Sequence, residues 1–503
     1  MSRKSRKYAI GLDVGTSGTK ALLVDNYGRV LGHQESPHKI HAPKPTWSEQ
    51  DPNAWWKAAD KAVSQLLSRF ARCRSNIVAI GLSGQMHGSV FLDKTGSVLR
   101  PAILWNDQRT SRECEEITRL VGGRSALLRY TSNIALPGYT APKILWVRNN
   151  EPKLFDKTRT ILLPKDYIAW RLCGEFATDV GDASGTLLFN VRKRKWHKKV
   201  LRALDLDPKL FCRAYESVSV VGELHAALAR RWSLPAGKVK VVIGSGDQPA
   251  AAIGMGVLGE GDASLTLGTS GVVFAASATP ADNAAGLLQS FCHAVPDTWC
   301  LFGCMLSAGA SLEWLRDKVF EGQTVDSLLA RASQATSNGL FFLPYLNGER
   351  CPYPDPHSRA CWVGMQRGHT RADLVRAALE GISFGLKDQL RALKSEGIQI
   401  RQLLCAGGGS RNAFWQQLQT DIYGIPTRRL DTPHASALGA ALLAGTGAGM
   451  WEDISAACKA GVHAGPVTKP RRQRHYKSRY RVYRNLYPTL RPAFEQIHGI
   501  SAS

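Results

Sequence analysis

At 503 residues the chain is too long for one ordinary core, and two lobes of roughly 200–250 residues are the expectation. An apolar share of 44% and a charged share of 21% belong to a globular protein. No run reaches the roughly 18 apolar residues of a membrane span, so no membrane partner is expected. The formal charge of +24 comes from basic runs at residues 2–7, 192–199 and 469–484; solvated faces and tails account for it. With no nucleic-acid-binding motif present, no nucleic-acid partner is expected.

Eleven cysteines without a C-x-x-C pair read as reduced thiols rather than disulfides or zinc ligands. The basic N-terminus meets Asp13 soon after and no cleavage pattern follows, so no signal peptide is read and a cytoplasmic location is expected.

The first predicted element is a β-hairpin over residues 10–24 with Gly15, Thr16, Ser17 and Gly18 at its tip. Its glycines let a ligand approach the backbone, and its hydroxyls with Lys20 make a phosphate cradle that is not the helix-opening P-loop. A helix is expected from about Pro52 to Arg72, with Asp51 as N-cap and Pro52 at N1. A strand over residues 77–82 enters Ser83-Gly84-Gln85-Met86-His87-Gly88, and residues 103–105 end in Asn106 and Asp107. Met86, His87, Trp105, Asn106 and Asp107 offer an apolar wall and hydrogen-bonding groups, as a polyol requires. Residues 112–231 read as mostly helical.

The buried strand at 239–243 empties into Gly244-Ser245-Gly246-Asp247. A side chain at a strand's C-terminal end faces a crevice, where a carboxylate can accept a hydroxyl proton. Locally, Asp247 fits an N-cap of the following helix equally well. Residues 264–274 then repeat the first hairpin's tetrad, from Gly268 to Gly271, with Thr266 in the place of Asp13. Twin turns, one with a carboxylate, indicate two related lobes holding a polyphosphate and its metal. Asp13 reads as the metal-side carboxylate, where it could orient metal-bound water, since Mg²⁺ prefers few carboxylates and several waters; the alternative is an ordinary strand-end Asp capping its own turn. Asp247 is expected on the other side of the cleft.

In the second lobe Thr370 and Asp373 begin a long helix to about residue 394. A strand over residues 402–405 meets Gly407-Gly408-Gly409, and a helix capped by Ser410 runs from residue 411 to 423. Three glycines before a helix N-terminus favour an anionic ligand, with Arg411 and Asn412 beside it. The helix at 435–444 is built almost wholly of small residues, suited to close packing. Beyond residue 465 the sequence fits an appended helix or disorder.

Together these residues resemble the FGGY carbohydrate kinases, over about residues 8–450. The resemblance is carried by residues 13–20, 83–88, 101–107, 163–167, 246–247, 267–271, 343–350 and 407–409, and both family signatures fit, across 138–150 and 360–380. It implies an α/β, two-lobed, actin-like (ribonuclease H-like) ATPase fold with the active site in the interlobe cleft. The lobes would span 8–257 and 258–455, with a basic extension at 456–503. By similarity Asp247 is the proton acceptor, Met86 and His87 the substrate pair, and Asn106 and Asp107 further sugar contacts. Thr16, Ser17, Lys20, Gly268, Thr269, Gly408, Gly409 and Asn412 would meet ATP, and Asp13 its Mg²⁺.

Gln85-Met86-His87 favours D-xylulose over glycerol, gluconate or ribulose, and a homodimer is compatible with the resemblance. The alternatives are a kinase for another pentulose or polyol and a non-catalytic sugar sensor; a sensor would not need a base. Two departures stand out. Gln248 follows the Asp where a bacterial member has Asn, and Cys351 replaces the usual Thr.

Overall fold

The computed structural model describes residues 6–431, 433–471 and 474–502, with residues 501 and 502 as backbone alone. Residues 2–5 of the basic N-terminal run and residues 472–473 of the C-terminal run lie outside the described residues.

Two mixed sheets organise the chain. In the first, Tyr8–Val14, Gly18–Asp25 and Val30–Pro37 form an antiparallel meander. Ile77–Gly84 joins parallel to Tyr8–Val14, and Lys240–Gly246 joins parallel beyond it, with Val220–Glu223 at the edge. The central strands are buried almost throughout, as strands covered on both faces must be, which is why they read as unbroken apolar runs.

The second sheet repeats this plan. Asp262–Leu267, Gly271–Ser277 and Trp299–Met305 form the meander, and Gln402–Ala406 and Thr427–Leu430 follow in parallel. Each lobe sets a long helix between its third and fourth principal strands, Pro52–Arg69 in the first and Arg371–Ser395 in the second. The first is capped by Asp51 with Pro52 at its start, the second by reciprocal bonds between Thr370 and Asp373, so both expected caps form. The expected α/β two-lobed actin-like fold is the fold observed.

The lobes meet through two short-side-chain helices, Asp247–Gly254 and Ala435–Gly447. A Cβ on Gly439 would stand 1.8 Å from the Ala250 carbonyl oxygen, and one on Gly11 2.0 Å from that of Ala437. Only glycine permits such contact. The small residues therefore let a helix encoded in the second half lie directly on the first lobe's strands.

Three expectations change. Residues 112–231 are not mostly helical throughout: short strands at Thr160–Leu162, Ala177–Asp179, Phe189–Asn190, Lys195–Trp196, Arg213–Tyr215 and Val220–Glu223 punctuate the helices. The glycine-rich turn forms a 3₁₀ segment at Gly408–Ser410, so the next helix starts at Ala413 with Asn412, not Ser410, as its cap. The C-terminal segment is built into the second lobe. Ala464–Thr468 joins its sheet, and in the helix Arg474–Ala502 the side chains of Tyr476, Tyr483, Tyr487 and Phe494 are buried in its core. Arg479 meets Glu380 at 3.0 Å and the Tyr480 hydroxyl donates to Asp388 at 2.5 Å, so part of the positive charge is structural. All eleven cysteines are free, and no described helix is long and apolar enough to cross a membrane.

Candidate active site

The strand Lys240–Gly246 shifts register against Ile77–Gly84 between Val242 and Ser245. Gly244 sits there at φ +65°, where a Cβ would be 1.7 Å from the Leu82 carbonyl oxygen. This bulge re-aims the strand end and delivers Asp247 as the first residue of the helix Asp247–Gly254. The cap position belongs to Gly246, and no side chain caps the helix. Asp247 is therefore not the N-cap that the local sequence also allowed. Burial, and then the nearby charge of Asp13, push its carboxyl up to about 7 against the pull of hydrogen bonds from Gln248.

Asp13 ends the strand Tyr8–Val14, separated from Lys240–Gly246 by the single strand Ile77–Gly84. Both acids stand at the C-terminal edge of one parallel array. Asp247 is thus in the same lobe as the first hairpin and not across the cleft from it. Burial raises the Asp13 carboxyl, while the Ser83 hydroxyl, donating at 3.0 Å, and the Lys20 charge oppose that rise.

A cavity of about 150 Å³ opens in front of Asp247. The first lobe supplies Met86, His87, Trp105 and Tyr139 to its wall; the second supplies Phe302 and Arg350. Met86 and His87 are seated on glycines, since a Cβ on Gly246 would strike the Met86 side chain at 2.6 Å and one on Gly185 the His87 ring at 2.5 Å. His87 holds a left-handed φ of +68°, costly for a non-glycine residue. Its carbonyl accepts from Lys143 Nζ at 2.9 Å and from the Thr140 hydroxyl at 3.2 Å. Lys143 Nζ also donates to the Gly138 carbonyl at 2.7 Å, so one buried ammonium ties two pocket residues together. Its burial lowers Lys143 to about 7.

Burial, with the Lys143 charge, holds His87 down to about 3, so the ring is neutral. Its Nδ1 lies 2.8 Å from the Gly185 carbonyl, which only accepts. Nδ1 therefore carries the proton, and Nε2 is left as an acceptor for a hydroxyl. Trp105 is fixed by its indole N–H donating to Thr16 Oγ1 at 3.1 Å, which links the first hairpin's tip to this pocket.

Asp107 does not face the cavity. It is fully buried, accepts the Ser48 N–H at 2.6 Å and pairs with the Arg109 guanidinium at 2.7 Å. Arg109 in turn meets Glu49 at 2.7 Å and stacks on Trp47. A charge so paired cannot leave its partner to meet a sugar. Asn106 is exposed and is not part of the cavity wall.

A second cavity of about 720 Å³ continues from the first and shares Gln248, Ser270 and Val272 with it. Gly268 and Ser270 at the second hairpin's tip line it, with Gly407, Arg411 and Arg429. Thr269 is exposed beside them, its carbonyl accepting from Ala310 N–H at 3.0 Å. Gly408 is open, with nothing within 4 Å of its Cβ position. Gly409 is instead buried against the Leu267 side chain, and Asn412 is occupied in accepting Trp415 N–H at 3.1 Å; these two serve the turn.

In the first hairpin, Asp13, Lys20 and Glu35 stand abreast across three strands, and Lys20 pairs with Glu35 at 3.5 Å. Ser17 is exposed and its carbonyl accepts from His38. Thr16, Ser17 and Lys20 do not line the larger cavity. Sequence reasoning missed Arg350, Tyr139 and Lys143 as site residues, although all three lie in stretches that carried the resemblance. Their contribution depends on contacts between distant segments.

Residues 8–254 match the N-terminal domain of the FGGY family of carbohydrate kinases and residues 263–448 its C-terminal domain. A xylulose kinase of Escherichia coli K12 is 38% identical over 487 residues, 96% of this chain and 99% of that protein. Among solved structures, a xyloylose kinase from Brucella ovis superposes with a TM-score of 0.92 at 37% identity, covering 97% of this chain and 100% of that one. A gluconate kinase from Lactobacillus acidophilus reaches a TM-score of 0.91 at 25% identity, covering 98% and 100%.

Proposed function

The chain belongs to the FGGY family of carbohydrate kinases, and we propose that it transfers the γ-phosphoryl group of ATP to the terminal O5 hydroxyl of D-xylulose. The observation that carries this reading is the position of Asp247 in the wall of the small cavity, next in sequence to Gln248, which lines both cavities, with its carboxyl poised near 7. A base there matches the pH at which it must both be ionised and accept a proton. The small cavity suits a five-carbon sugar, with Met86 and Tyr139 against its carbons and neutral His87 accepting from a hydroxyl. The larger one takes ATP, its phosphates toward Gly268 and Ser270 and the open backbone at Gly407 and Gly408. Phosphoryl transfer of this kind rests on positioning and charge stabilisation, with the carboxylate taking the attacking hydroxyl's proton.

Asp13 fits a Mg²⁺ carried in with ATP. One of its oxygens is held by Ser83 and the other makes no hydrogen bond within the described residues, and a single carboxylate plus phosphates and water is the usual magnesium environment. Bound there, Mg²⁺ would neutralise charge building on the phosphates. Lys20, between Asp13 and Glu35, opposes the rise that burial imposes on the Asp13 carboxyl. Among the described residues no cluster of three metal-binding side chains exists, in keeping with a metal held mainly by its nucleotide.

Similarity to xylulose kinases over nearly the whole chain supports the choice of sugar. The test is a coupled ADP-release assay over D-xylulose, other pentuloses, their polyols, glycerol and gluconate, with Asp247→Ala alongside. D-xylulose is expected to give the highest kcat/KM, and Asp247→Ala to lose roughly 10²–10⁴-fold. Equal turnover by that variant removes Asp247 from its role, and preference for another acceptor overturns the substrate.

A further inference from the structure

Among the described residues Arg350 is the one cation in the wall of the sugar cavity, and it comes from the second lobe while the base comes from the first. It follows the strand Phe341–Leu343 in a loop pinned by its neighbour. The Glu349 carboxylate accepts the Arg350 N–H at 2.6 Å and the Leu306 N–H at 3.1 Å, and Glu349 is only 4% exposed. Glu349 thus holds the loop backbone against the end of Trp299–Met305 and makes no ion pair with Arg350. Among the described residues the Arg350 guanidinium has no ion pair or hydrogen bond, although it stands near enough to His87 and Tyr139 for its charge to act on both. An unpaired, partly buried guanidinium is a donor-only group kept for something that accepts.

The chemistry of the substrate supplies the acceptor, and this step rests on the D-xylulose reading. A 2-ketopentose closes its ring through O5. Phosphorylation at O5 needs that oxygen free, so the reacting form is the open chain, whose C2 carbonyl only accepts hydrogen bonds. Of the other polar groups in the wall, Asp247 and the unprotonated Nε2 of His87 accept, the Tyr139 and Ser270 hydroxyls and the Gln248 and Gln289 amides can either donate or accept, and the Trp105 N–H is spent on Thr16. Among the described lining residues Arg350 is the donor-only group left without a partner. We propose that Arg350 donates to the C2 carbonyl of the open-chain ketose, so that the second lobe reads the ketone while the first lobe's Asp247 addresses O5. The sugar then bridges the lobes, and a polyol, with a hydroxyl at C2, is the poorer partner for a donor-only group.

The experiment compares kcat/KM for D-xylulose and for its two C2 reduction products, D-arabitol and xylitol, in wild type, Arg350→Lys and Arg350→Gln. ATP KM and the circular dichroism spectrum serve as controls for folding. The ketose-to-polyol ratio is expected to fall by about 10- to 100-fold in Arg350→Gln and by less in Arg350→Lys. A ratio unchanged in a folded Arg350→Gln variant overturns the assignment. If Arg350→Gln does not fold, the Arg350→Lys ratio decides, and no fall there overturns it as well. Should the wild type prefer another ketose, the substrate reading falls while the Arg350 test proceeds on that ketose and its polyols. Preference for a sugar acid assigns Arg350 to a carboxylate and overturns the carbonyl proposal.

Discussion

Replacing Lys143 by Met removes the buried ammonium that joins the carbonyls of His87 and Gly138, at 2.9 and 2.7 Å. Gly138 then has no donor from Lys143, while His87 keeps the Thr140 hydroxyl at 3.2 Å. Losing a charge-assisted donor costs about 1–3 kcal/mol for each of the two part-buried carbonyls it served. Against this, burial lowers Lys143 from its ordinary 10.5 to about 7, a penalty on the charged form on the order of 4 kcal/mol that Met does not carry. Global stability should therefore change little at neutral pH, while His87 and Gly138 lose their common anchor. D-xylulose KM is expected to rise about 10- to 100-fold with ATP KM near wild type.

A second readout follows from the titration. Because the folded group releases its proton at lower pH than the unfolded one, the unfolded chain holds more protons between about 7 and 10.5. Wild-type stability thus gains from Lys143 as pH rises through that window, and the gain is lost below about 7. Thermal melts across this range should show a smaller rise for Lys143→Met. Steady-state kinetics with an unchanged sugar KM, or melts whose pH dependence matches wild type, would refute the anchoring role.

In the pH profile of kcat/KM for the sugar, activity should fall as pH drops below about 7, where Asp247 takes up a proton before it can act. Asp13→Asn removes a charge that raises Asp247, so the inflection should move to lower pH and the Mg²⁺ requirement should increase; an inflection left in place means the two acids do not communicate. Asp107→Asn should behave as a folding variant, since it leaves Arg109 partly unpaired in the core, with a loss of about 3–5 kcal/mol. Chemical denaturation should show that loss, while the folded fraction keeps its sugar KM; a raised KM at unchanged stability would restore Asp107 as a sugar contact.

Legibility in the sequence followed the range of the interactions involved. The twin hairpins, the capped helices Pro52–Arg69 and Arg371–Ser395, and the glycine-marked strand end before Asp247 depend on neighbours within a few residues, so local chemistry determined them. The hairpin tetrad occurs twice, once ending at Gly18 and once at Gly271, and it announced that both lobes share a strand plan. The small-residue helix announced close packing in the same way.

What tertiary structure decided are the pairings between distant segments. Asp107 looked like a polar group beside a sugar wall, but Arg109 and Ser48 claim it in the core. Asn412 looked like a nucleotide contact, but the 3₁₀ turn at Gly408–Ser410 moves the helix start and makes it the cap. Asp247 was expected on the other side of the cleft from the first hairpin, yet parallel pairing through Ile77–Gly84 sets it and Asp13 on one sheet edge. Lys143 and Arg350 gained roles only when the fold brought them to His87 and to the cavity. Sequence by itself determined the family plan and the strand end that carries Asp247, because those rest on local turns and strand ends. Only the fold decided which charges are spent on one another and which remain free to face a ligand, because ion pairing depends on proximity in space.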